Sequence, residues 1–375
     1  MPLIYLDHNA STPLDPAVAE EMRALLNTAF GNPSSDHWAG RLARNVVDTA
    51  RARTAALLGC DPAEIIFTSG GSEANNHALK GVFFMARQRG VENPHFVTTA
   101  VEHPAILEPL RFLEGLGAGV TLVPVDGHGR VDPNAVARAL CPETVLVSVM
   151  HANNEVGTIQ PVAEIAALAH ARGIPVHTDA AQSVGKIPIR VDDLGVDLLS
   201  VAAHKLYGPK GVGALFLRKG LVLEPLIHGA GHESGRRAGT ENVLLIAGLG
   251  RACAVAAPHL GMPAIRALRD HLEQEILGRF AGLVSVNGHP TERLPNTLSM
   301  NFHGRAGSEI LVALGDVAAS TGSACHAGSV TLSPVLQAMG VEPEIGMGAV
   351  RFSLGRTTTS AEIDEVLRRL GAAVQ

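Results

Sequence analysis

Apolar positions between about residues 15 and 255 follow two different periodicities. They recur at helical spacing in Ala17–Leu26, Gly40–Leu58 and Val162–Arg172, which predicts amphipathic helices. Short runs rich in β-branched residues predict strands at Ile65–Thr68, His95–Ala100, Val120–Val125, Thr144–Met150, Ile174–Asp179, Leu198–Ala202 and Gly213–Leu217. Alternating helices and strands of this kind favour an α/β fold whose sheet is buried on both faces.

The pattern changes after Pro258. A long helical stretch is followed by short strands and a last helix, at Ala264–Phe280, Leu283–Asn287, Thr297–Phe302, Ala349–Ser353 and Ala361–Ala373. This order is typical of a smaller α+β unit. We therefore predict a large domain over residues 15–257 and a small domain over residues 1–14 and 258–375, the latter carrying Cys325.

Composition narrows the class of protein. Of the 375 residues, 46% are hydrophobic and 18% charged, which excludes a disordered chain. Lys and Arg total 30 against 36 Asp and Glu, there is no basic run, and aromatic residues are 3%. A nucleic-acid partner is therefore not expected. Without a long apolar segment or a signal-like N-terminus, we expect no membrane span and a cytoplasmic location.

The four cysteines are widely separated and form no Cys-x-x-Cys pair, so neither a disulfide framework nor a zinc site is expected. The pair His228 and His232 has metal-like spacing, but the glycines between them argue against a helix that would bring the rings together. We predict no metal.

Three candidate groups follow predicted strands of the large domain. Gly71 and Ser72 begin a helix after a Gly-rich turn, which is either a phosphate cradle or an ordinary capped turn. Asp179 ends a strand and is either a helix cap or a carboxylate that pairs with a heteroaromatic nitrogen, as in pyridoxal phosphate (PLP) chemistry. Lys205 is either a solvated side chain or an amine that binds an aldehyde; Lys210 is its rival.

Three further residues have weaker individual signals. His103 comes just after a predicted strand and is either structural or functional. Cys325 lies in a small-residue segment beside His326, which suits either a structural role or a mobile, reactive thiol. Arg351 can grip a carboxylate with two hydrogen bonds.

The order of these features along the chain resembles that of the cysteine desulfurases, a family of class V, fold-type I PLP enzymes. The similar segments, spread from residue 4 to about residue 368, are Tyr5–Pro13, Phe30–Ser35, Phe67–Asn76, His177–Gln182, His204–Lys205, Arg236–Asn242, Arg293–Thr297 and Gly322–Cys325. The resemblance implies a mixed, mainly parallel sheet in the large domain, a smaller α+β domain, and a homodimer with the cofactor at the subunit interface.

The resemblance also assigns roles to individual residues. Lys205 would hold PLP covalently and act on the substrate, with His103 stacking on the ring and helping to move protons. The other cofactor contacts would be Gly71, Ser72, Asn154, Asp179, Gln182, His204 and, from the other subunit, Thr240. Arg351 and Asn32 would bind the substrate carboxylate.

The implied reaction converts L-cysteine to L-alanine, with the sulfur transferred to Cys325 as a persulfide and then to an acceptor protein, such as an iron–sulfur scaffold. Two features differ from many members of the family. Ala202 stands where they have a serine that contacts phosphate, a loss of about 1 kcal/mol. The chain also ends at Gln375, soon after its last helix, so the acceptor stays open.

Two alternatives remain. Selenocysteine lyases resemble the chain around Ala324–His326 and Ser333–Leu336, and also lack the serine at Ala202. Relative rates on cysteine and selenocysteine would separate the two. A non-catalytic sulfur carrier or scaffold is the alternative of another class, and the presence of Lys205 and Cys325 argues against it.

Overall fold

The computed structural model describes residues 3–321, 323–326 and 329–374. The helices are α1 Pro16–Leu25, α2 Trp38–Leu58, α3 Gly71–Gln88, α4 Pro104–Glu114, α5 Pro133–Ala139, α6 Val162–His170, α7 Val191–Leu194, α8 Val243–Ala256, α9 Pro263–Arg279, α10 Gly307–Leu314, α11 Pro334–Ala338, α12 Pro343–Gly346 and α13 Ser360–Val374. The strands are β1 Ile4–Tyr5, β2 Ile65–Thr68, β3 His95–Thr99, β4 Gly119–Val123, β5 Thr144–Ser148, β6 Val176–Asp179, β7 Leu198–Ala202, β8 Gly213–Leu217, β9 Val284–Asn287, β10 Thr297–Phe302, β11 Val317–Ala318, β12 Ser320–Thr321, β13 Ser323–His326, β14 Ser329–Leu332 and β15 Ala349–Ser353.

The largest sheet in the described part of the chain has seven strands in the order β2-β8-β7-β6-β5-β3-β4. All neighbouring pairs from β7 to β4 are parallel, whereas β8 runs antiparallel to both β2 and β7. The carboxyl ends of β3, β5, β6 and β7 consequently meet at one edge. Ligands bind at that edge in open α/β sheets.

Both faces of this sheet are buried, because alternate side chains of its strands enter different cores. In β8, Ala214 and Phe216 join a core with residues of α2, α6 and α8, whereas Leu215 and Leu217 join a second core with residues of α3 and α4. This is the period of two expected of a strand covered on both sides. The predicted sheet buried on both faces is confirmed.

A second, antiparallel sheet has the order β12-β15-β10-β9 and packs with α9, α10 and α13 around a separate core. Ile4 and Leu6, from the start of the chain, belong to this core, and β1 pairs in parallel with β11. The N-terminal segment thus packs with the C-terminal third of the chain. The domain boundaries stay a prediction, with this distribution of the cores in their favour.

Most predicted elements lie within about two residues of the observed ones, but α8 was not predicted. Its buried residues lie all around the helix, among them Val243, Gly248 and Cys253. A helix buried on every side has no polar face and therefore no readable period. Among the described residues no single helix is long and apolar enough to cross a membrane, and one bent pair, Val243–His259 with Pro263–Arg279, passes that test jointly by length and composition.

The crossing of α2 and α8 generates a stability prediction. A Cβ added to Gly250 in α8 would lie 2.6 Å from the Cβ of Ala50 in α2, closer than two carbons can approach. We expect Gly250→Ala to lower the free energy of unfolding by about 1–3 kcal/mol through overpacking. Gly278→Ala in α9, where an added Cβ meets nothing within 4 Å, is the matched control. Denaturant midpoints measure both, and an unchanged midpoint for Gly250→Ala would contradict this packing.

Candidate active site

A cavity of about 430 Å³ opens at the carboxyl edge of the seven-stranded sheet. It brings together nine of the residues singled out in the sequence, namely Gly71, Ser72, His103, Asn154, Asp179, Gln182, His204, Lys205 and Arg351. They come from separate parts of the chain: most follow strands of the seven-stranded sheet, whereas Arg351 comes from β15 of the four-stranded sheet. Only the fold makes them neighbours.

Lys205 ends a short 3-10 helix, Ala203–Lys205, that follows β7 directly. Its Nζ donates hydrogen bonds to the backbone carbonyl oxygens of Asn9 at 2.5 Å and Ala10 at 2.8 Å. Burial lowers the pKa of Lys205 to about 8, Arg351 acts in the same direction, and the carboxylate of Asp179 opposes them. A much larger fraction of this amine is therefore neutral near pH 7 than for an exposed lysine.

Asp179 ends β6 and is held by two donors. Its Oδ1 accepts from the backbone N–H of Ala181 at 2.9 Å, and its Oδ2 accepts from Nδ2 of Asn75 at 2.7 Å. The side chain is buried, and the two hydrogen bonds fix its orientation. Asn75 is buried too, and its Oδ1 has no hydrogen-bond partner.

The N-terminus of α3, an 18-residue helix, also lines the cavity. Gly71 and Ser72 form its first turn, where backbone N–H groups and the helix dipole favour an anion. A Cβ on Gly71 would lie 3.2 Å from the Cβ of Ala202, so glycine keeps this space open. His204 lines the same cavity. Burial above all lowers the pKa of His204 to about 4, so its ring is neutral.

His103 caps α4 at the rim of the cavity. Its Nδ1 accepts from the backbone N–H of Ala105 at 3.0 Å. That hydrogen bond requires a bare Nδ1, so the neutral ring carries its proton on Nε2. Partial burial of the ring lowers its pKa; Lys205 adds to this and Asp179 opposes it.

Arg351, in β15, brings a guanidinium into the same cavity. Its Nη1 donates to the carbonyl of Asn154 at 2.9 Å, and its Nη2 forms an ion pair with Asp7 at 2.6 Å. Its Nε is buried and has no hydrogen-bond partner. A cation here suits an anionic ligand group.

Two predicted site residues, Asn32 and Thr240, do not line the cavity, and the side chain of a third is not described. Asn32 is exposed, and its Oδ1 accepts from the backbone N–H of Ser34 at 2.9 Å. Thr240 is exposed in a different cleft, beside Gly239 and Glu241. Cys325 belongs to β13, and its side chain lies outside the described residues. The roles of all three stay predictions.

The other cysteines have different surroundings. Burial raises the pKa of the Cys60 and Cys253 thiols to about 12, so neither is a thiolate at neutral pH. Cys253 is buried, whereas Cys60 is only half-buried. Cys60 follows the last turn of α2 and its left-handed cap at Gly59, and this position leaves part of the residue open to solvent.

Sequence reasoning missed Asn75, Asn9 and Lys186. Asn75 lies one helical turn after Gly71 and therefore on the same face, a signal that was available. Lys186 is buried, and its Nζ donates to Asn9 Oδ1 at 2.7 Å and to Gln182 Oε1 at 2.9 Å. Burial lowers its pKa well below the ordinary value. No sequence pattern distinguishes such a lysine from a surface one.

The donor set fits PLP. The cavity presents an amine for the aldehyde, a carboxylate for the ring nitrogen, and a helix N-terminus kept open by glycine for the phosphate. The unpartnered buried atoms Asn75 Oδ1 and Arg351 Nε also line it. No group of three or more His, Cys, Asp or Glu side chains among the described residues could hold a metal ion.

Several known proteins are similar to this chain in sequence and fold. Residues 4–366 match the family model for aminotransferase class-V. A cysteine desulfurase IscS of Dictyoglomus turgidum is 46% identical over 98% of this chain and 94% of its own. The solved structure of a NifS-like protein has a TM-score of 0.91, 38% identity and coverage of 99% of both chains. SspA, solved in complex with cysteine, has a TM-score of 0.83 and 38% identity over 94% of this chain and 98% of its own.

The fold and the donor set define a fold-type I PLP enzyme, which confirms the predicted fold class and cofactor. The chain belongs to the aminotransferase class-V family and, within it, to the cysteine desulfurases. The resemblance seen in the sequence segments is confirmed.

The lowered pKa of Lys205 generates a prediction about the cofactor-free protein. Because only the neutral amine reacts, acetylation of Lys205 by acetic anhydride should reach half its maximal rate near pH 8. Arg351→Gln should move this midpoint upward, because Arg351 disfavours the ammonium. Mass spectrometry of the Lys205 peptide across a pH series measures both. A midpoint near the ordinary value of about 10.4 would contradict the described surroundings of the amine.

Proposed function

We propose that the chain releases sulfur from L-cysteine, leaving L-alanine, with Lys205 as the group that acts on the substrate and Cys325 as the first sulfur acceptor. This proposal is supported above all by one observation: the Lys205 amine, the Asp179 carboxylate and the Arg351 guanidinium line the same cavity. An amine and a carboxylate suit PLP, and a guanidinium suits the carboxylate of an amino acid.

Cofactor binding uses the carboxyl edge of the sheet. Lys205 would be the covalent attachment point, Asp179 would pair with the ring nitrogen, and Gln182 would reach the ring oxygen. Asn75 supports Asp179 through its hydrogen bond of 2.7 Å. Gly71, Ser72 and His204 would hold the phosphate, together with Thr240 of a second subunit. Once bound, PLP supplies an electron sink that stabilises negative charge at the substrate carbon next to the amino group.

Lys205 serves as the base at that carbon. With the substrate amino acid held in the cavity, the Nζ of Lys205 would be placed to take the Cα proton. A base at this position must first be neutral and must then keep the proton that it takes. A pKa of about 8 suits both requirements, because the amine is readily deprotonated near neutral pH and its ammonium form is still stable there. The carbonyl oxygens of Asn9 and Ala10, which accept from Nζ in this structure, stabilise the resulting ammonium.

His103 is a second group in the cavity that can carry a proton. Its Nε2 carries the proton of the neutral ring, and its lowered pKa keeps the imidazole uncharged near pH 7. A neutral imidazole can stack on an aromatic ring and can give or take a proton at Nε2. We assign it these two roles, with Asn154 beside the cofactor ring.

Sulfur transfer is a bond exchange. The thiolate of Cys325 attacks the substrate sulfur, so an S–S bond forms while the substrate Cβ–S bond breaks. The electron pair of the broken bond stays with the carbon skeleton, which takes up protons and leaves as L-alanine. The outer sulfur of the Cys325 persulfide then passes to a thiol of an acceptor protein.

The finer parts of this function are proposals as well. We propose a homodimer, because Thr240 lies away from the cavity of its own chain and is assigned to the partner's cavity. We propose an acceptor protein such as an iron–sulfur scaffold, in line with the names of the curated relatives. The cytoplasmic location also stays a proposal.

The direct test is release of L-alanine from L-cysteine in the presence of a reductant. We expect Cys325→Ala to reduce the rate by at least about 100-fold, because the variant lacks the attacking thiolate. Cys141→Ala is the matched control, a half-buried cysteine outside the cavity, and should retain the wild-type rate.

Two outcomes would contradict the proposal. Unimpaired alanine release by Cys325→Ala would show that another group accepts the sulfur. A wild-type protein that loads PLP and ignores L-cysteine but processes selenocysteine would assign the site to a selenocysteine lyase.

A further inference from the structure

Arg351 is already engaged by two neighbouring side chains on one of its nitrogens. Its Nη2 donates to Asp7 Oδ1 at 2.6 Å and to Ser320 Oγ at 2.9 Å, and Ser320 Oγ donates to Asp7 Oδ1 at 2.8 Å. The Arg351 and Asp7 side chains are 10% and 19% exposed, so water screens this ion pair only weakly. The three side chains form a closed triangle beside the cavity.

The triangle constrains how Arg351 can hold a carboxylate. A guanidinium grips a carboxylate with two parallel hydrogen bonds along either of two edges, Nε with Nη2 or Nη1 with Nη2. Both edges include Nη2, whose two hydrogens are taken by Asp7 and Ser320. The buried Nε, which has no partner, offers only a single bond.

We propose that Asp7 and Ser320 are positioning residues that compete with the substrate carboxylate for Nη2 of Arg351, so that Asp7 limits the affinity of the site for amino acids. This inference rests on the proposed role of Arg351 in carboxylate binding. A substrate carboxylate can accept two hydrogen bonds from Arg351 only by displacing Asp7 or Ser320. The site therefore binds L-cysteine, and its product L-alanine, less tightly than an unpaired arginine would.

The backbone fixes this competition in place. Asp7 bridges to Ser353 at the end of β15, and Ser320 in β12 lies directly opposite Arg351 in the β12–β15 register. All three residues thus lie in backbone segments that pair with one another. The ion pair also matters for Lys205, because Arg351 lowers and Asp7 raises the pKa of its amine.

The test replaces the charge of Asp7 and keeps its shape. In Asp7→Asn we expect the KM for L-cysteine and the inhibition constant of L-alanine to fall by about 3- to 10-fold, the scale of losing one charge-assisted competitor. The inhibition constant of L-alaninamide, which lacks the carboxylate, should stay unchanged. A general structural defect would change both ligands alike.

Asp15→Asn is the matched control, because Asp15 pairs with Arg356 and caps α1, where Asn is an equally good cap. It should leave both inhibition constants unchanged. If Asp7→Asn does not fold, Ser320→Ala tests the same idea, since it frees one hydrogen of Nη2 without altering charge. It should lower the inhibition constant of L-alanine in the same direction by a smaller factor.

Arg351→Gln separates this inference from the function on which it rests. If Arg351→Gln leaves the preference for L-alanine over L-alaninamide intact, Arg351 does not bind the carboxylate and the proposed function is wrong at this point. If Arg351→Gln removes that preference while Asp7→Asn or Ser320→Ala leaves L-alanine binding unchanged or weaker, only the competition is overturned.

Discussion

The hydrogen bonds of Asn9 join the four-stranded sheet to Lys186 and Lys205. Its backbone N–H donates to Ser353 Oγ at 2.9 Å, and its Nδ2 donates to Thr297 Oγ1 at 2.8 Å, both in the smaller sheet. Its backbone carbonyl accepts from Lys205 at 2.5 Å, and its Oδ1 accepts from Lys186 at 2.7 Å. Because Asn9 is buried, losing it would leave several polar groups unsatisfied, at about 1–3 kcal/mol each.

The charges around the cavity explain why it suits its ligands. Lys186, Lys205 and Arg351 are basic groups close enough to disfavour one another's charged forms, and Asp7 and Asp179 are the acidic groups near Lys205. Burial and mutual repulsion disfavour the charged lysines, while the carboxylates oppose this for Lys205. A ligand that carries a phosphate and a carboxylate favours the charged forms of these basic groups. The same cluster of basic groups thus lowers the pKa of the Lys205 amine and favours the binding of anions.

Sequence patterns predicted the buried sheet well because each strand is a short β-branched run followed by a turn. They also indicated Asp179 and Lys205, since polar residues directly after buried strands converge at one sheet edge. They failed for α8, which has no polar face, and for Asn75 and Lys186, whose importance comes from contacts with distant residues. The pairing of Arg351 with Asp7 joins positions far apart in the chain, and only the register of β12 and β15 brings Ser320 to them.

We propose that the Lys205 cavity delivers sulfur from L-cysteine to Cys325. The most direct measurement is mass spectrometry of the PLP-loaded protein after incubation with L-cysteine without reductant, followed by digestion under non-reducing conditions. We expect the added mass of sulfur on the peptide that contains Cys325, and no such addition in Lys205→Ala. Alanine formation with the sulfur on the peptide of Cys60, Cys141 or Cys253, or on no cysteine at all, would contradict it.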